Sequence, residues 1–149
     1  MASGDGASRL WLRPLATTTA QPLAGTERVT YPFWSPDGRS IGFFAGGSVK
    51  RLDLGGGAPQ TLAPAGNPGG GTWSADGVIV FAPNALRGLS RVSATGGGVA
   101  AVTTLGPQQP THQQPWFLPD GRQFLFYALG VGDAAAIYLG ALDGGPRPA

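Results

Sequence analysis

The sequence contains no cysteine, one histidine and one methionine, and only 12% of its 149 residues are charged. Without cysteine there is no disulfide, no thiolate nucleophile and no cysteine-ligated zinc. With His112 alone, a metal site would need carboxylate partners, and the surrounding THQQPWF supplies none. A Ser-His-Asp site would need a serine on a strained elbow, and no G-x-S-x-G occurs. The GGG stretches at 55–57, 69–71 and 96–98 lack a following Gly-Lys-Ser/Thr, so they read as turns and not as phosphate cradles. Nine Arg and one Lys face seven Asp and one Glu, for a net charge of +2. The arginines are scattered and never form the basic cluster that nucleic acid or a membrane surface requires. No run approaches the roughly 20 apolar residues of a membrane-spanning helix. The opening MASGDGASRLWLRPL has no apolar core of the kind an export signal carries. The compartment therefore stays open. No catalytic, metal or cofactor site is expected.

The abundant residues are glycine and proline, 26 and 14 of them, set among 42% hydrophobic residues with four Trp and seven Phe. Turn formers plus enough apolar material for a core indicate an all-β chain with many short strands. The sequence also repeats. Phe33-Trp34-Ser35-Pro36-Asp37-Gly38-Arg39 returns as Thr72-Trp73-Ser74-Ala75-Asp76-Gly77-Val78, and again as Trp116-Phe117-Leu118-Pro119-Asp120-Gly121-Arg122. A second mark keeps the same period: Leu15, Leu54 and Ala94 are followed eight residues later by Leu23, Leu62 and Val102.

Each unit reads as four strands. The first ends at the aromatic before Asp-Gly, a strong hairpin signal. The second is apolar (SIGFFA, VIVFA, QFLFYA), and the third and fourth flank a small-residue turn. Four strands in about 40 to 45 residues is the pattern of a propeller blade. The expected organisation is a partial β-propeller of antiparallel blades: a flexible N-terminus 1–8, a half-blade 9–26, blades 28–63 and 70–105, an incomplete blade 112–145 and a tail 146–149. By the eight-residue spacing, a fourth strand for the last unit would centre beyond residue 149.

With WSPDGR, WSADG and FLPDGR in place, the chain resembles the TolB-type family of WD-repeat-like β-propellers. The resemblance is strongest to the propellers that follow bacterial serine/threonine kinase domains. It implies a binding or sensory module with no bond chemistry of its own. Alternatively, it implies the regulatory or gating propeller of a larger enzyme, a kinase or hydrolase, and then an extracytoplasmic setting if that kinase is membrane-anchored.

Asp37, Asp76 and Asp120 are read as turn residues accepting hydrogen bonds from nearby backbone N–H groups. Trp34, Trp73 and Phe117 are read as packing between blades. The loops leading into each first strand hold Arg28, Tyr31, His112, Gln113 and Gln114, which are the candidate binding residues for a protein or peptide partner. A homodimer is also expected, in which each N-terminal strand pair completes the other chain's last blade to give a six-bladed ring.

Overall fold

The computed structural model describes residues 6–132 and 135–148. Among these there is no α-helix, and the strands are β1 (Trp11–Leu12), β2 (Gln21–Pro22), β3 (Thr30–Trp34), β4 (Ser40–Ala45), β5 (Ser48–Asp53), β6 (Gln60–Pro64), β7 (Gly71–Trp73), β8 (Val78–Phe81), β9 (Ser90–Ser93), β10 (Ala100–Ala101), β11 (Thr111–Phe117), β12 (Gln123–Leu129), β13 (Ala136–Ala141) and β14 (Gly144–Pro148). They pair in chain order into an N-terminal two-stranded sheet, β1-β2, and three antiparallel four-stranded sheets, β3-β4-β5-β6, β7-β8-β9-β10 and β11-β12-β13-β14. The first strands β3, β7 and β11 lie beside one another. This is the architecture the repeat predicts: three blades after a half-blade.

The Asp-Gly turn sets each blade's first hairpin. It is closed by Ser35 N to Ser40 O (2.9 Å), Ser74 N to Val78 O (2.8 Å) and Leu118 N to Gln123 O (2.8 Å). Gly38, Gly77 and Gly121 all take φ near +70° (67°, 77° and 67°), which only glycine adopts freely. The aspartates are not equivalent. Asp37 Oδ1 accepts from Ser35 Oγ (2.6 Å) and Arg39 N (3.0 Å), and Asp120 Oδ1 accepts from Arg122 N (3.0 Å) and Gln123 N (2.9 Å). These bonds, from Ser35 first and from Gln123 N–H first, hold both carboxyls below the ordinary aspartate value. Asp76 makes no such bond among the described residues. Its turn is one residue shorter, and Ser74 Oγ takes over by accepting from Val78 N at 3.1 Å.

The last blade differs from the expected incomplete unit and tail. Ala141 pairs with Gly144 across Leu142-Asp143, and the chain returns along β13 as β14. A two-residue hairpin replaces the longer turn of the earlier blades, so the fourth strand begins well before the position the eight-residue spacing gives. The outer edge of β13 is thereby occupied, and no strand from another chain is needed there. The place that the expected strand exchange would fill is taken by β14 of the same chain. The expected flexible segment 1–8 lies outside the described residues as far as residue 5. Ser8 is tied down, accepting from Arg28 N at 2.7 Å and donating its hydroxyl to Val29 O at 3.1 Å.

Stability resides between the sheets. Leu10 and Leu23 of the half-blade pack on Val29, Ile41, Phe43 and Leu52. The other face of that blade (Phe44, Val49, Leu62) meets Trp73, Ile79, Phe81 and Val92. Val80, Ala82 and Leu89 then meet Phe124, Phe126 and Ala128. Strand alternation sends Ile79 and Phe81 to one core and Val80 and Ala82 to the next. Each phenylalanine so buried is worth about 1.5–3 kcal/mol. The second repeat mark holds for Leu54/Leu62 and Ala94/Val102, which reach these cores, but Leu15 is almost fully exposed.

The residue wedged between the first two blades is Phe33, not Trp34. A Cβ on Gly71 would lie 2.7 Å from the Phe33 ring, and one on Gly42, the cross-strand partner of Phe33, would overlap it. Trp73 is buried at the interface as expected, whereas Trp34 is 53% exposed. Trp34 pairs with Ile41 and shares the face turned to the half-blade, whose two short strands leave it uncovered.

Candidate functional site

Every non-glycine residue with positive φ among the described residues lies at or near the start of a first strand: Arg28 (56°) in the loop before β3, and Tyr31 (47°) and Gln114 (50°) inside β3 and β11. Tyr31 and Gln114 are equivalent, each three residues before its blade's turn aromatic, and the middle blade has Gly70 (φ 104°) there. A register shift marks the place in both outer blades, at Thr30/Phe33 and Gln113/Trp116. The left-handed conformation costs a side-chain-bearing residue roughly 1–2 kcal/mol. It is over-determined here: Gln114 N donates to Gly69 O (2.8 Å), and Arg28 N donates to Ser8 O (2.7 Å). Tyr31 meets Phe44 edge-on, ring centroids 6.3 Å apart, and remains 48% exposed. Gln113 is half-buried and Gln114 exposed, both against Gly69 and Gly70 at the junction of the second and third blades. Arg28 lines a hollow of about 170 Å³ together with Thr30, Gly46, Gly47, Ala65 and Pro68.

His112 does not join this rim. It is 1% exposed, its ring lies 4.6 Å from that of Phe126 at an interplanar tilt of 50°, and both ring nitrogens are engaged. Leu89 N donates to Thr103 Oγ1 (2.8 Å), which leaves the Thr103 hydroxyl proton for His112 Nδ1 (2.7 Å). Nε2–H then donates to Gln109 Oε1 at 3.1 Å. Burial pushes its pKa below the ordinary histidine value. The sequence placed His112 in a loop because Thr-His-Gln-Gln-Pro looks loop-like. The chain instead extends there as β11, with Thr111, His112 and Pro115 buried and Gln114 and Trp116 exposed.

At the opposite, Asp-Gly end, sequence reasoning missed a second feature. A cleft of about 610 Å³ runs across the three blades, lined among others by Phe33, Trp34, Trp73, Trp116, Phe117 and Pro36. Trp116 is 71% exposed. The signal was the aromatic beside each repeat mark, which reads equally well as packing. Beside the cleft, Arg51 bridges the first two blades. Its Nε meets Asp53 Oδ1 (2.7 Å), its Nη1 donates to Ala94 O (3.1 Å), and its guanidinium lies 5.4 Å from the Trp73 ring centroid. Among the described residues, no three His, Cys, Asp or Glu side chains come together, and no helix is long and apolar enough to cross a membrane.

No family model matches the sequence, and no curated protein matches it significantly. Solved structures do. A protein assigned as TolB from Agrobacterium tumefaciens superposes with a TM-score of 0.80 at 20% identity, over 97% of this chain and 57% of its own. TolB from Acinetobacter baumannii superposes with a TM-score of 0.74 at 16% identity, over 94% of this chain and 37% of its own. The chain thus spans little more than half of the first relative and less of the second. At these identities the likeness concerns the fold, and the fold of this chain is that of a partial TolB-like β-propeller.

Proposed function

We propose that this chain is a non-catalytic propeller segment that binds a protein or peptide partner through the loops leading into its blades, with Arg28, Tyr31, Gln113 and Gln114 as contact residues. The observation that carries this reading is the coincidence of backbone strain with exposure: Arg28, Tyr31 and Gln114 hold left-handed backbones on one rim. Strain kept in place by surrounding hydrogen bonds is characteristic of functional positions. A rigid blade framework under variable loops suits recognition. Selection of binders from a random peptide library tests it. Tyr31→Asn and Gln114→Asn keep residues that tolerate positive φ, and either should weaken the selected peptides about tenfold, with Trp116→Ser leaving them unchanged. The reverse pattern would move recognition to the aromatic cleft and overturn the reading.

A second reading, a regulatory or gating segment of a larger enzyme such as a kinase, is favoured by the last sheet. Trp116, Tyr127, Leu129 and Ile137 are exposed on its outer face, opposite Phe124, Phe126 and Ala128, which pack on the preceding blade. An apolar sheet face of this kind matches those that join the other blades. Light scattering over a concentration series of the wild type and Ile137→Thr checks whether a second copy covers it instead. Association of the wild type that the variant loses would count against an adjoining blade.

A further inference from the structure

Charge is segregated along the strands. The turns and strand ends at the Asp-Gly side hold Asp37, Asp53, Asp76, Asp120 and Asp143. Of the cations there, Arg51 lies on Asp53 at 2.7 Å, Arg39 next to Asp37 and Arg122 next to Asp120, while Arg13 donates to Thr17 O at 3.2 Å. At the opposite end stand Arg9, Arg28, Arg87 and Arg91, and the one carboxylate among the described residues of that end is Glu27. Glu27 is engaged by Arg9 at 3.3 Å. Its sequence neighbour Arg28 has no ion pair and no side-chain hydrogen bond within the described residues. Yet Arg28 occupies a strained φ of 56°, fixed by its N–H on Ser8 O, and borders the hollow formed with Thr30 and the glycines of the β4–β5 turn.

We propose that this hollow is a carboxylate-binding subsite, in which the Arg28 guanidinium and the Thr30 hydroxyl receive an acidic side chain or C-terminal carboxylate of a peptide partner. One guanidinium presents two parallel N–H donors that match the two oxygens of a single carboxylate. A space of about 170 Å³ admits such a group, and its walls of Gly46, Gly47 and Gly66 let a peptide backbone approach closely. The surplus of arginine at this end attracts an acidic chain from a distance. Tyr31, next to the hollow in sequence, adds an exposed aromatic surface for the flanking residues. The subsite rests on the rim reading above and gives it a ligand chemistry.

The test uses fluorescein-labelled hexaglutamate, with hexaglutamine as the neutral control, followed by fluorescence anisotropy. Hexaglutamate should bind, lose affinity steeply between about 0.05 and about 0.5 M salt, and shift the Arg28 Nε–Hε resonance. Arg28→Asn removes the guanidinium while keeping a residue that accepts left-handed backbone, and it should weaken binding about tenfold. Arg39→Gln, at the other end, should change it less than about twofold. Absence of binding, an unmoved Arg28 resonance, equal losses in the two variants, or displacement by equimolar inorganic phosphate each overturns the carboxylate assignment. Neutral peptides selected on the rim, combined with failure of hexaglutamate, would refute the subsite and leave the rim standing.

Discussion

Replacing Gly42 with alanine tests the packing argument most directly. Gly42 lies in β4 opposite Phe33, and a Cβ at that position overlaps the Phe33 ring. The ring has no room to retreat, because its far edge already lies within 2.7 Å of where a Cβ on Gly71 would stand. The φ of Gly42 is not in the left-handed region, so alanine brings no backbone strain. It lowers the entropy of the unfolded chain, which favours the variant by roughly 0.4–1 kcal/mol. Overpacking a fixed aromatic opposes this by about 1–3 kcal/mol. The second term wins, and Gly42→Ala should lower the unfolding free energy by about 1–2 kcal/mol, read as a lower urea midpoint at constant m-value. Phe33→Leu shortens the ring side, so the double variant should recover most of the overlap term, with a favourable coupling of about 1 kcal/mol or more. A neutral or stabilising Gly42→Ala, or additive single effects, would refute Phe33 as the fixed wedge between the first two blades.

Three further outcomes are expected. His112 is buried and neutral, with its pKa depressed by desolvation. The unfolded chain therefore takes up a proton near pH 6.5 that the folded chain resists. Stability should be full above that pH and fall below it, and His112→Gln should flatten this part of a urea-midpoint profile from pH 7.5 to 5. Thr103→Val strands Leu89 N–H and His112 Nδ1 and should cost about 1–3 kcal/mol by the same assay. Asp37→Ala should lower thermal stability more than Asp76→Ala, because only Asp37 accepts turn hydrogen bonds. The Asp37 contribution should persist above the ordinary aspartate pKa and vanish as pH falls through its depressed value. Equal melting temperatures for the two variants would contradict the unequal turns.

The period of Trp-x-x-Asp-Gly made the blades legible, because a turn that needs glycine at positive φ leaves a sharp mark in sequence. What the period could not carry was the local register. Adjacent strand residues face opposite neighbours, so Phe33 meets the second blade while Trp34 turns to the half-blade, and nothing in Phe33-Trp34 says which ring is the wedge. The fourth strand of the last blade was hidden for a related reason. Asp143-Gly144 is itself a hairpin signal, but an eight-residue spacing learned from longer turns overrode it. Within the candidate site, Arg28, in its loop, and Tyr31 and Gln114, which lie inside β3 and β11, were readable as residues near the start of a first strand. Their strain was not, since Arg28 and Gln114 are held by hydrogen bonds to Ser8 and Gly69, far away in sequence or in another blade, and Tyr31 by its ring contact with Phe44. His112 was misplaced because its partners Thr103 and Gln109 lie in the preceding turn, where polarity suggests solvent.

Strand β8 contributes to two cores at once, with Ile79, Val80 and Phe81 all at 0% exposure, whereas β1 and β2 form a two-residue ladder with a neighbour on one side. A chain whose sheets touch only their neighbours opens from its ends inward. Backbone amides of β8 should therefore exchange with deuterium only when the whole molecule unfolds, and their rate reports global stability. Those of β1 and β2 exchange through local fraying at far lower free energy. The middle blade thus acts as the anchor on which the rim loops of its two neighbours are held, and a destabilising change in β8 would loosen Tyr31 and Gln114 together without touching either.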